Sequence, residues 1–365
     1  MKRVTSDSRP WPSGGALAVC SCCGIVQKPA DDKFREEITE IYRTYQIYHQ
    51  SSGNEQMVFG EAAEPRSLDL LRRAMRHLCV ASEGRMLDVG CGNGGLLHSF
   101  AQLLPGWRLA GNELSDVHRA RVESIPGVEA LYVGGIASVP GSFDLITMLH
   151  SLEHFINPCA FLPDLASRLN SGGHLLIEVP DFRQNPFDLL IADHVTHFSP
   201  GALGRTLTAS GCEIEQLTGT WIAKEISALA RSGGNRSPVV KGSPEDGDAA
   251  RGAIALLHAV IDEAQSLART RQIGLFGTSN AATWLAGELE ARDLKVPFFV
   301  DEDPARIGRL HMGVPILSPD ELPGDALVFV PLAPAVARKL ADRLGNERFF
   351  LPSALASSTS FSPII

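Results

Sequence analysis

Met86-Leu87-Asp88-Val89-Gly90-Cys91-Gly92-Asn93-Gly94-Gly95, running on into Leu96-Leu97-His98-Ser99-Phe100, is the stretch on which the reading of this chain turns. A short apolar strand enters a turn without bulky side chains, and a helix follows. Glycine adopts positive φ at no steric cost and lets the backbone approach a ligand closely. A tight strand-to-helix turn that binds nothing would look the same locally. Two acids tell the readings apart. Asp88 lies inside the strand, where a negative charge would repel a phosphate and suits a cationic ligand. Glu113 ends the next apolar stretch, Trp107-Arg-Leu-Ala-Gly-Asn-Glu113, at close to the spacing from which an acid grips a ribose diol.

Outward from this turn, short apolar runs alternate with helix-like stretches. Strands are expected at Arg85–Val89, Arg108–Asn112, Leu131–Val133, Leu145–Met148 and His174–Val179, and again at Gln272–Phe276, Phe298–Val300 and Ala326–Val330. Such alternation implies βαβ units and parallel sheets. The fold class is therefore α/β, with two Rossmann-like units in tandem. An N-terminal appendage covers residues 1–60 and turns helical near Asp32; residues 61–230 form the first α/β unit. A Gly-, Ser- and Pro-rich linker spans 231–251, and residues 252–365 form the second unit.

The 365 residues carry 33 Lys+Arg against 42 Asp+Glu, a net charge of −9. That acid excess argues against a nucleic-acid partner, which needs a basic face. No apolar run reaches the roughly 18 residues of a membrane span. Thr5-Ser6-Asp7-Ser8 follows the basic start where a secretory peptide would be apolar. A cytoplasmic protein acting on a small molecule is expected, with no membrane partner. Of the 7 cysteines, only Cys20, Cys22 and Cys23 cluster, so no disulfide framework is implied.

With these motifs in place, the chain resembles the class I S-adenosylmethionine (SAM)-dependent methyltransferases. Asp88-Val-Gly-Cys-Gly-Asn-Gly looks like that family's cofactor loop, and Glu113 matches its ribose-binding acid. Phe143-Asp-Leu-Ile-Thr-Met-Leu-His150-Ser-Leu-Glu153-His154 resembles its fourth-strand motif, and Leu169-Asn-Ser-Gly-Gly-His-Leu-Leu-Ile-Glu-Val-Pro180 the element after it. The resemblance implies SAM as cofactor. Gly90, Cys91, Gly92 and Asn93 would face its amino-acid part, Glu113 and Leu114 its ribose, Gly135-Ile136 its adenine, and Leu149-His150 its sulfonium. The family often has an acid beside the adenine, and this chain has none there. A structural role at the start of a helix is equally open for His150 and is favoured for His154.

The two ends narrow the resemblance to sugar C-methyltransferases, which act on nucleotide-linked keto-deoxysugars. Gly277-Thr-Ser-Asn280, at a helix start, reads either as an anion cradle or as a bare Rossmann-like turn. In that family the C-terminal domain helps hold the substrate's nucleotide, which makes Gly277 and Asn280 substrate-binding candidates. Val19-Cys20-Ser-Cys22-Cys23-Gly24 looks like half of the family's N-terminal zinc segment. Zinc needs four ligands, and only the pair Cys20 and Cys23 is present. Tyr42, Tyr45 and Tyr48 share a helical face that either docks on the core or lids the site, with Tyr48-His49 best placed to reach a substrate.

Methyl transfer to oxygen or carbon needs a nucleophile in line with the sulfonium and a base to take its proton. Open α/β sheets bind ligands at the carboxyl ends of their strands, so the base is sought after the fifth strand. There the chain reads Asp181-Phe-Arg-Gln-Asn-Pro-Phe-Asp188-Leu-Leu-Ile-Ala-Asp193-His194-Val-Thr-His197-Phe-Ser-Pro200. Histidine titrates nearest neutrality. A helix-lead segment whose polar groups only cap the next helix is the plain alternative. By resemblance, Asp193-His194 matches the family's acid–histidine pair, with His194 as base, Asp193 orienting it and His197 ranked second. The family places a Tyr and a His just before that pair, where this chain has Ile191 and Ala192. Two rivals stay open: an O- or N-methyltransferase of a glycan, lipid or natural product, and a SAM-binding partner protein without turnover.

Overall fold

The computed structural model describes residues 1–12, 14–45, 57–58, 64–233, 245–344 and 347–356. Its larger sheet has seven strands: β1 (Arg85–Val89), β2 (Arg108–Glu113), β3 (Val128–Val133), β4 (Phe143–Leu149), β5 (Leu169–Pro180), β6 (Cys212–Thr218) and β7 (Glu225–Ser232). Their order is β6-β7-β5-β4-β1-β2-β3. From β3 across to β5 neighbouring strands pair parallel, while β7 runs antiparallel to both β5 and β6. The five parallel strands match the sequence expectation, and β1 keeps the same bounds. The β6–β7 pair was not foreseen.

Strands covered on both faces read as nearly continuous apolar runs, and Leu175, Leu176 and Ile177 of β5 are almost fully buried. One face packs on α5 (Pro158–Ala166) and α6 (Pro200–Ala209), the other on α2 (Arg66–Ala74) and α3 (Gly95–Leu103). The Ser199 hydroxyl accepts from Ala202 N at 3.1 Å, and Pro200 follows at the first helical position, so α6 starts where Ser-Pro marks it.

The second sheet has six strands, with β8 (Ile273–Phe276) and β9 (Leu327–Phe329) side by side and parallel within it. Helices α7 (Glu245–Thr270) and α8 (Asn280–Glu290) cover it. α7 begins at Glu245, inside the stretch read as a linker, and residues 234–244 of that stretch lie outside those described.

The first residues are not a loose appendage. Val4 bridges to Ile191, is fully buried, and joins Phe187, Leu190 and Trp284 in the core of the second unit. The short turn Pro186–Leu190, from the segment that carries the histidines, therefore packs into that core, with the Phe187 and Trp284 rings 5.9 Å apart. Helix α1 (Asp32–Arg43) begins where it was expected, with Asp31 capping Phe34 N at 2.8 Å. The strand Thr196–His197 pairs with Val26–Gln27, which tethers the histidine segment on its other side.

Candidate active site

The turn after β1 has Gly90 at φ 74°, Gly92 at 53° and Gly94 at 85°, a left-handed run that side chains resist. A Cβ on Gly90 would lie 2.3 Å from Ser151 Oγ. Gly90 and Cys91 donate to the Asn112 carbonyl, which locks the turn against β2. Asp88 is buried at the end of β1 and accepts from Thr147 Oγ1 at 2.7 Å. Glu113, at the end of β2, accepts from Gly92 N at 2.9 Å and Leu114 N at 2.7 Å. Glu113, the acid expected to take a ribose, and the glycine turn thus meet directly. Asn93 is buried, Leu114 is exposed, and Ile136 is buried at the start of a short turn beside Gly135. The Cys91 sulfur is buried close to Gly111, and burial pushes its thiol pKa well up, which makes it a packing group.

The ends of β4, β5 and the start of β7 lie at the same edge of the sheet, beside this turn. His150 follows β4 at φ 49°, a strained value for a residue other than glycine. Its Nε2 contacts Arg66 of α2, and Arg66 also binds Glu178 of β5. Glu225 of β7 lies 3.5 Å from Arg66 and 3.7 Å from His150. Burial drives the His150 pKa well below its usual value, helped by the positive charge of Arg66. Burial lifts Glu225 to about 7. Glu178 interrupts the apolar run of β5, a signal already present in the sequence, whereas Glu225 stands at the first position of β7.

The histidine segment completes the site and corrects one assignment. Asp188, not Asp193, orients His194: His194 Nδ1 lies 2.7 Å from Asp188 Oδ1, and His197 Nδ1 lies 2.6 Å from Asp188 Oδ2. Asp193 instead accepts from Ser6 N at 2.8 Å and faces His154 at 3.6 Å. Burial would raise Asp188, but the two imidazoles outweigh it and hold its carboxyl far below the usual range. Burial would lower His194, but the carboxylates of Asp188, Glu153 and Asp193 outweigh it and raise its pKa. For His197 burial wins and brings the pKa to about 4, and its Nε2 has no hydrogen-bond partner among the described residues.

Lys28, missed from the sequence, is buried beneath this segment and donates to the carbonyls of Ile191 and, at 2.6 Å, His194. Desolvation brings its pKa down to about 7. His154 Nδ1 sits 3.0 Å from the Asp193 carbonyl and 3.0 Å from the Tyr42 hydroxyl. Tyr42 is thus docked on the core, while Tyr48 and His49 lie outside the described residues.

The remaining candidates stand apart. Gly277 (φ 79°) precedes α8, and Asn280 accepts from the Ser8 hydroxyl, so the N-terminal segment reaches that helix start. Cys20 and Cys23 close a hairpin turn, and no third ligand joins them at metal distance among the described residues. The cysteine pair therefore does not fit a zinc site by itself. No helix among the described residues is long and apolar enough to cross a membrane.

Residues 61–217 match the family model described as a methyltransferase domain. A ubiquinone biosynthesis O-methyltransferase of Xanthomonas euvesicatoria pv. vesicatoria is 32% identical over 157 residues, covering 37% of this chain and 65% of the relative. One of the same name from Albidiferax ferrireducens is 30% identical over 138 residues, covering 34% of this chain and 54% of the relative. The chain thus spans less than two thirds of the length of these relatives. The solved structure of human N-acetylserotonin methyltransferase in complex with SAM aligns with a TM-score of 0.42 at 16% identity, over 56% of this chain and 60% of that one. The match to the methyltransferase-domain model and the five-strand parallel core agree with the sequence resemblance: residues 61–217 fold as a Rossmann-like α/β unit and are similar to methyltransferase domains.

Proposed function

We propose that the protein transfers a methyl group from SAM to a small polar acceptor, a nucleotide-linked deoxysugar being the preferred class. The observation that carries the reading is the direct contact of Glu113 with the Gly92 turn, beside a histidine cluster at the same sheet edge. SAM supplies an electrophilic methyl group on a sulfonium. The Gly90–Gly94 turn takes its amino-acid part through backbone atoms, and Glu113 exchanges its backbone partners for the ribose hydroxyls. Asp88 and the acids Glu178 and Glu225 suit the cationic end of the cofactor.

His194 accepts the acceptor's proton at Nε2, because Asp188 fixes its Nδ1 as the protonated nitrogen. Asp188 also stabilises the imidazolium that results. Lys28 and the packing of Pro186–Leu190 on the second unit hold the segment in place. The second unit is the substrate clamp in this reading, with Gly277 and Asn280 at its helix start.

The relatives' printed names favour a second reading, O-methylation of another small metabolite. Isotope-labelled SAM offered with a panel of nucleotide sugars and phenolic acceptors, to wild type and His194→Ala, tests both. Labelled sugar that disappears in the variant supports the first reading in full. Labelled phenol selects the second. Product that survives His194→Ala removes the base assignment.

A further inference from the structure

We propose that a divalent transition-metal ion, zinc or a cation of similar chemistry, binds among Glu153, His154 and His194. One ligand atom from each residue lies within 4.8 Å of the ligand atoms of the other two. Glu153 is only 1% exposed, and neither carboxylate oxygen has a hydrogen-bond partner among the described residues. Its nearest ion-pair contact is His150 Nδ1, at 3.4 Å. A buried carboxylate with both oxygens unmatched is costly, and a cation supplies what is missing.

The histidines are prepared in the way metal ligands are. His154 Nδ1 is 3.0 Å from the Asp193 carbonyl, and His194 Nδ1 is 2.7 Å from the Asp188 carboxylate. Those outer partners fix each tautomer and leave Nε2 with its lone pair free, the arrangement found behind metal-bound imidazoles. Two imidazoles and one carboxylate suit zinc, cobalt, nickel or ferrous iron, whereas calcium and magnesium call for an all-oxygen set. The site lies between the short turn Leu152–His154 and the histidine segment, and neither Cys20 nor Cys23 belongs to it.

A lone pair on His194 serves one proton or one metal ion. Resting on the reading of His194 as proton acceptor, the metal-loaded protein is therefore an off state, and metal binding itself stands on the geometry alone.

The test is a Co2+ titration of the chelator-stripped full chain, followed by its visible d–d absorption and by competition with Zn2+. Wild type and the Cys20→Ser/Cys23→Ser variant should both develop the band. Glu153→Gln, nearly isosteric and relieved of a buried charge, should bind at least as much more weakly as the roughly 10–100-fold that loss of an outer-shell partner costs. No band, a band lost with the cysteines, or identical titrations for wild type and Glu153→Gln would each overturn the site. Zn2+ that stops methyl transfer in the stripped enzyme supports the off state. Transfer that requires the metal overturns the off state, and with it His194 as base, while the metal site stands. Absence of metal binding with methyl transfer intact removes this proposal and leaves the methyltransferase reading untouched.

Discussion

Asp188 holds His194 through a 2.7 Å contact to Nδ1, and its second oxygen holds His197 at 2.6 Å. One buried carboxylate thus sets the tautomer of two imidazoles, and Asp193, the immediate neighbour of His194, sets neither.

Asp188→Asn should therefore damage catalysis much more than Asp193→Asn. An amide can present its N–H to His194 Nδ1 and favour the wrong tautomer. A loss of about 100-fold or more in kcat is expected, by the reasoning established for acid–histidine pairs in hydrolases. Asp193→Asn should keep most of the turnover, because its carboxylate serves Ser6 and lies 3.6 Å from His154. Steady-state rates of the two variants, with SAM affinity as the control, decide the assignment. Equal losses would restore Asp193 to the role the sequence suggested.

Glu113→Ala removes the acid proposed to grip the ribose and frees the backbone N–H groups of Gly92 and Leu114. A hydrogen bond to a charged group contributes about 1.5–3 kcal/mol, so SAM affinity should fall roughly 10–100-fold. Calorimetric titration with SAM measures it directly. An unchanged affinity would place the ribose elsewhere.

Gly90→Ala combines a φ of 74° with a Cβ 2.3 Å from Ser151 Oγ. Strain at such a position costs about 1–3 kcal/mol. The melting temperature should drop and SAM binding should fail. Gly172→Ala, at φ 78° but with nothing within 4 Å of its Cβ, should lose stability by the backbone term alone and keep its affinity for SAM.

Glu225 gives a pH-dependent stability. Burial lifts its pKa to about 7 in the folded chain, against an ordinary value of 4.5, while Arg66 and Lys224 pull it down and Glu178 and Asp188 push it up. His150 Nε2 faces it at 3.7 Å. The folded state therefore holds this proton more tightly than the unfolded state. Folding is penalised as pH rises from about 4.5 to 7, and the penalty is complete above that range. Glu225→Gln removes the titration, so its melting temperature should gain on wild type as the pH is raised from 5 to 8. A constant difference between the two curves would contradict this account.

Much of the fold is legible in the chain because its signals are local. Arg85–Val89 is recognised as a strand by its own side chains, and the turn after it by glycines whose positive φ values need no partner. The Ser199-Pro200 start of α6 and the start of α1 at Asp32 are equally local. The β6–β7 pair is local, but its place in the sheet is not: β7 docks on β5, more than 40 residues earlier, as in the pairing of Glu178 with Ser227.

The sequence by itself determined the parallel α/β core, the glycine turn and the acid that serves it. Each follows from φ preferences and apolar runs within a few residues. Only the tertiary structure decided which groups surround the histidines. Asp193 and His194 are neighbours in sequence, yet the Asp193 carboxylate turns to Ser6 and His154 while His194 Nδ1 faces Asp188. Asp188 returns to His194 because Pro186–Leu190 turns back to bury Phe187 and Leu190 against the second unit. Arg66, Glu178 and Glu225 converge because three distant elements end at one edge of a sheet, and packing of the whole chain fixes that edge.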